Sequence, residues 1–207
     1  MCLVTDRGAA HGDLVECVAA AVSAGVDWVQ IRERDLDGAA LLEHAEAISV
    51  AARSEAAKRD GRVAIIVNRR VDVALALEAD GVQLGFDAMD APSARRLLGS
   101  DAQIGVSTHS PEEIGKLPRE TSYAQLAPIF PPLSKPRSGP YLGVEAISRA
   151  ARYGVPILAQ GGVTADNAAA LIAAGAAGVA VTGAILSAPD PIAATRSLRA
   201  ALTSDPV

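Results

Sequence analysis

Residues 157–185 read ILAQGGVTADNAAALIAAGAAGVAVTGAI. Two short apolar runs, at 156–158 and 178–181, each lead into a glycine turn: Gln160-Gly161-Gly162 after the first, Thr182-Gly183 after the second. Between them, 166–174 has the length and alanine content of a helix. The stretch is therefore built from strand, turn and helix, the βα unit. Glycine lets backbone N–H groups come close to an anion. A helix that follows points its positive end at the same place. The two turns together read as a phosphate site; the competing reading is that the glycines only close tight turns.

The same unit recurs along the chain. Strand-like runs at 2–5, 28–31, 63–67, 81–84, 103–106, 124–127, 156–158 and 178–181 alternate with helical patterns at 13–24, 37–54, 71–78, 91–98, 111–117, 143–153, 166–174 and 191–202. Apolar runs without alternation suit strands covered on both faces, as in a parallel sheet. Eight such units predict one domain over 1–207, a single (β/α)8 TIM barrel. A doubly wound open sheet uses the same units and is the alternative. In the barrel the two glycine turns follow strands seven and eight, where phosphate is often bound. Residues 128–142, PIFPPLSKPRSGPYL, hold five prolines and form neither helix nor strand.

Composition excludes several function classes. Half of the residues are hydrophobic, with one Trp, three Tyr and two Phe. The core is thus one of small and branched aliphatics. The net charge of −5 argues against nucleic acid or an anionic membrane as partner. No apolar run reaches the roughly 20 residues of a membrane span. Cys2 and Cys17 have neither metal spacing nor a disulfide framework, so a reducing, cytoplasmic setting is expected.

In a barrel, chemistry sits on the loops after the strands. After strand two, Arg32 and Arg34 alternate in QIRERD behind Gln30, so both can point into the mouth. With Lys135 of the proline loop they suit a second anion such as a diphosphate; ion pairing with Glu33 or Asp35 is the competing reading. Asn68 follows strand three. Ser107-Thr108-His109-Ser110 follows strand five, and His109 is a general acid/base candidate, or an incidental residue in a helix-capping turn. Asp90 reads as the cap of the helix beginning at Ala91. No metal constellation is present.

Several stretches together resemble one family, that of thiamine phosphate synthase and its relative TenI, the thiazole tautomerase. They are VQIRERDL, ADGVQLG, IGVSTHSPEE, APIFPPLSKP and ILAQGGVTADNAAALIAAGAAGVAVTGAI, in order from Leu3 to the last helix. The resemblance implies a TIM barrel, thiamine biosynthesis, a thiazole phosphate ligand and often a homodimer. It places Gln30, Arg32 and Arg34 at pyrimidine and diphosphate positions, Lys135 on the loop lysine and Ser107 in a diphosphate turn. Gly161, Gly162, Thr182 and Gly183 fall on the phosphate cradle. Magnesium would serve a synthase, and no cofactor a tautomerase.

The chain departs from the family's pattern where the metal belongs. The family's Asn-Asp after strand three, whose Asp binds magnesium, is Asn68-Arg69 here. The second ligand position is Ala88, beside Asp87. Phe86 matches TenI-like sequences, the strand-four His is Gln83, the loop threonines are Pro132 and Ser134, and Arg34 replaces a lysine. The departures favour a metal-independent tautomerase with His109 as its acid/base. The alternative is a thiamine phosphate synthase, and the third reading a non-catalytic phosphate-ligand binding protein.

Overall fold

Eight parallel strands close on themselves in chain order, each hydrogen-bonded to the next and the last to the first. The computed structural model describes residues 1–132 and 140–203. The strands are β1 (Cys2–Val4), β2 (Trp28–Ile31), β3 (Ala64–Asn68), β4 (Gly81–Leu84), β5 (Gln103–Thr108), β6 (Tyr123–Leu126), β7 (Ile157–Gln160) and β8 (Gly178–Val181). The helices are α1 (Leu14–Ala24), α2 (Gly38–Ala57), α3 (Val71–Ala76), α4 (Ala91–Leu98), α5 (Pro111–Ile114), α6 (Val144–Ala151), α7 (Ala165–Ala173), α8 (Gly183–Leu186) and α9 (Pro191–Thr203). This is the (β/α)8 barrel, and the open sheet is excluded by the β1–β8 pairing.

Side chains alternate across each strand. Outward residues such as Leu3, Val29, Ile65, Val82, Ile104, Leu126, Ala159 and Val179 pack under the helices in one large buried cluster. The barrel interior holds a smaller apolar group, Cys2, Val4 and Ala180, with Trp28 and Leu158 against it. Trp28 meets Tyr123 edge to face there, at 5.1 Å. Room for that ring comes from Gly105, where a Cβ would lie 2.2 Å from both Tyr123 and Gln83.

Aspartates start several helices. Asp13, Asp37 and Asp90 each accept a hydrogen bond from a backbone N–H three residues on, which satisfies a donor the helix leaves unpaired. Asp90 is thus the cap of α4.

Several expectations about the elements need correction, among them strand seven, expected at 156–158 and found at Ile157–Gln160. Strand β5 runs past 106 to Thr108, because Ser107 and Thr108 pair with Gln125 and Leu126 of β6. Ser107 is therefore in a strand, not in a turn. The helix expected at 111–117 stops at Ile114, and the short α8 was not foreseen. No helix among the described residues is long and apolar enough to cross a membrane.

Candidate active site

The C-terminal ends of the strands enclose a cavity of about 380 Å³. Its floor is polar because the inward position near the end of most strands carries an amide or hydroxyl. Gln30 Nε2 donates to Asn68 Oδ1 at 3.1 Å, and Gln125 Nε2 donates to Gln30 Oε1 at 2.9 Å. These three amides form a chain across the barrel, with Gln30 and Gln125 almost wholly buried. Gln83 Nε2 donates to Ser107 Oγ at 3.0 Å, and Gln83 Oε1 is buried without a partner among the described residues. A floor of fixed amides reads the edge of a flat heterocycle by donors and acceptors.

One end of the cavity is made of backbone. Gly161, Gly162, Thr182, Gly183 and Ala184 line it. The N–H groups of Gly161, Gly162, Gly183 and Ala184 donate to no acceptor among the described residues. Gly161 and Gly162 have φ of 97° and 61°, conformations that glycine adopts freely. They also lie under the start of the proline loop: a Cβ on Gly162 would stand 2.4 Å from the Pro131 carbonyl oxygen, and one on Gly161 2.9 Å from Pro128 Cα. The loop is tied there by Ile129 N–H to Gln160 O and Phe130 N–H to Gly161 O. The glycines thus do more than close turns. Asn167 fixes this turn: its Oδ1 accepts from Thr164 N–H at 2.9 Å and its Nδ2 donates to Gly162 O at 3.0 Å.

Arginines follow β2, two strands on from β8. Arg32 is half-buried and lines the cavity. Thr5 holds its backbone: the Thr5 hydroxyl accepts from Arg32 N–H at 2.8 Å and donates to the buried Glu33 at 2.6 Å. Arg7 takes up Glu33 and Asp35. Hence the ion pairing expected as the competing reading is made by Arg7, and neither Arg32 nor Arg34 has a carboxylate within 4.0 Å among the described residues. Burial lowers the Arg32 pKa, and the charges of Arg34 and Arg69 add to this against Asp6 and Glu33. Arg34 does not share the main cavity. Strand β2 ends at Ile31, the alternation stops with it, and Arg34 sits exposed in a turn. It borders a shallower depression with Arg32, Asp6 and Arg7.

His109 lines the rim and is half exposed. Its ring stacks on Phe86 at 4.9 Å and 25°, and Nδ1 lies 3.9 Å from Glu113. Its backbone N–H donates to the Glu113 carboxylate at 2.7 Å. Lys135 lies outside the described residues. The sequence assigned no role to Gln125, Thr5 or Asn167 and placed Gln160 in a turn, whereas it ends β7; a polar residue at an inward strand position was the available signal for the two glutamines.

A family model described as thiamine monophosphate synthase matches residues 1–185. The chain belongs to the thiamine monophosphate synthase family. The thiamine-phosphate synthase of Roseiflexus castenholzii is 40% identical over 199 residues, spanning 95% of this chain and 85% of that one. The thiamine-phosphate synthase of Chlorobium luteolum is 39% identical over 206 residues, spanning 99% and 93%. A solved structure, thiamine phosphate pyrophosphorylase from Pyrococcus furiosus, has a TM-score of 0.81 at 29% identity, spanning 97% and 94%.

These synthase relatives overturn the tautomerase expectation, which gave Arg69 and Phe86 more weight than the rest of the chain. The missing aspartate marks an altered metal site. It does not mark a lost anion site, since Arg32 and Arg34 remain unpaired among the described residues. The non-catalytic reading gives way as well: this is an enzyme of the synthase family.

Magnesium, which the family implies, does not fit the residues present. At the ends of β3 and β4 the carboxylate is Asp87, and Arg69 Nη2 holds it at 2.5 Å. Among the described residues no three His, Cys, Asp or Glu side chains come together as a metal site.

Proposed function

We propose that the enzyme is a thiamine-phosphate synthase, joining a pyrimidine methyl diphosphate to a thiazole phosphate and releasing diphosphate. One observation carries this reading: the mouth has two separate places for an anion. Unpaired backbone N–H groups stand after β7 and β8, and unpaired guanidinium groups stand after β2. A reaction between two phosphorylated substrates needs both.

In this reading Gly161, Gly162, Thr182 and Gly183 hold the thiazole phosphate, with Ala184 adding an N–H. The Gln30–Asn68 amides meet the pyrimidine edge. Arg32, Arg34, Ser107 and Lys135 hold the diphosphate, and His109 contacts the ligand at the rim. The methylene carbon–oxygen bond breaks with its electron pair going to the diphosphate, and the thiazole nitrogen supplies the pair for the new carbon–nitrogen bond. The arginines offset the charge that grows on the leaving group. The two buried free cysteines support a cytoplasmic setting.

The test is to mix the purified protein with both substrates and separate the products by chromatography. Thiamine phosphate well above the enzyme-free background is expected. None, under any divalent-ion condition, would overturn the reading.

A further inference from the structure

Arg69 occupies a strained place. Its φ is 67°, a left-handed conformation that favours Asn and Asp over other non-glycine residues. The family that the chain belongs to is expected to carry a metal-binding Asp there; this chain carries a guanidinium. Residues kept in such a conformation mark functional positions more often than chance would. The side chain reaches from the end of β3 to Asp87 in the loop after β4.

Register brings this pair to the other arginines. Ile31 of β2 pairs with Val67 of β3, and Asn68 of β3 pairs with Gln83 of β4. Arg32, Arg69 and Asp87 thus follow the ends of three consecutive strands. Arg32 feels the charges of both Arg34 and Arg69, and Asp87 feels those of Arg69 and Arg34. The nearby carboxylates are accounted for: Glu33 and Asp35 go to Arg7, Asp87 goes to Arg69, and Asp6 accepts from Gly8 N–H.

We propose that this enzyme binds the diphosphate of its substrate through Arg32, Arg34 and Arg69 instead of through a magnesium ion, Asp87 holding Arg69 in position. The proposal rests on the synthase reading. A guanidinium offers fixed donors to phosphate oxygens and a permanent positive charge, so it replaces part of the charge that a metal would bring. When the carbon–oxygen bond breaks, the electron pair arrives on an oxygen that faces these donors.

The test is calorimetric titration of the purified enzyme with inorganic diphosphate in EDTA. Binding without metal is expected. Arg69→Asn keeps the preference for the left-handed backbone and removes the charge. It should weaken binding about tenfold or more, with the melting temperature little changed. Arg69→Lys should restore much of the affinity. Arg69→Asp should abolish binding in EDTA and recover part of it when Mg²⁺ is added. Wild-type binding that requires Mg²⁺, or an Arg69→Asn variant that binds like wild type, overturns the proposal.

The product assay, run in EDTA and in Mg²⁺, separates the two claims. Thiamine phosphate formed only with Mg²⁺ leaves the synthase reading and removes the arginine site. Diphosphate bound through Arg69 in EDTA, with no thiamine phosphate under either condition, leaves the arginine site and removes the synthase reading.

Discussion

Arg69 and Asp87 meet at 2.5 Å across the ends of β3 and β4. A cation here, paired with a lone carboxylate, changes what the mouth of the barrel can hold. It favours an anion directly and disfavours a divalent cation. The guanidinium holds the Asp87 carboxyl below its ordinary pKa of 3.8, chiefly by its hydrogen bond. A carboxylate whose pKa is depressed in the folded state contributes above its ordinary value and loses that contribution as pH falls through the folded one. The pair should therefore stay intact around neutral pH. Diphosphate affinity should show no inflection between pH 5 and 8, about the range in which histidine titrates, that Asp87→Asn removes. Calorimetry across that range checks this.

Arg32 is the central cation, half-buried and without a carboxylate partner among the described residues. Arg32→Ala should lower kcat/KM for the pyrimidine diphosphate about 100-fold, the loss of two charge-assisted hydrogen bonds. Arg32→Lys should fall between, since charge stays and the fork is lost. KM for the thiazole phosphate should move little. Steady-state kinetics with each substrate varied in turn reads both.

The backbone end of the cavity is tested by charge instead of by bulk, because Gly162 carries the proline loop as well. Ala184→Asp places a carboxylate beside the unpaired N–H groups. KM for the thiazole phosphate should rise about 100-fold, as two like charges at contact distance repel by a few kcal/mol. The melting temperature should hold. An unchanged KM would remove the cradle assignment.

Gly105 tests the barrel interior. A Cβ there would overlap Tyr123 and the Gln83 amide at 2.2 Å. Gly105→Ala should cost about 2–3 kcal/mol of stability through forced repacking, read from urea unfolding. Gly99→Ala, where nothing lies within 4 Å but φ is 85°, should cost less, about 1 kcal/mol from backbone strain alone.

Cys2 gives a pH signature of folding. Burial pushes its thiol from 9.0 up to about 12. A raised pKa in the folded state means stability that is complete below pH 9 and drains away as pH rises toward 12. Cys2→Ala should flatten the alkaline loss of stability between those values. Neither Cys2 nor Cys17, both buried, should react with a thiol reagent at neutral pH until the chain unfolds.

The sequence made the barrel legible because short apolar runs and helical patterns alternate eight times, and the two glycine turns in 157–185 fall at the phosphate-binding corner. It also located Arg32, Asn68 and His109 on the loops or strand ends that line the cavity. It missed what depends on register. Gln125 and Gln160 reach the floor because of where β6 and β7 sit in the barrel, and a single strand's pattern does not state that. Ser107 looked like a turn residue because its pairing partner, Gln125, is 18 residues away. Arg34 looked inward because alternation was carried past Ile31, where the strand stops. The tautomerase expectation failed for a different reason: a changed metal ligand at Arg69 stood for a lost substrate, although Arg32 and Arg34, which suit that substrate, follow the neighbouring strand.

The central claim is the coupling of two phosphorylated substrates in this cavity, and phosphorus NMR of the purified enzyme with both of them tests it most directly. The account predicts that inorganic diphosphate and thiamine phosphate appear in equal amounts as the pyrimidine diphosphate signals vanish. Diphosphate release with no thiamine phosphate, or no change in either substrate, would contradict it.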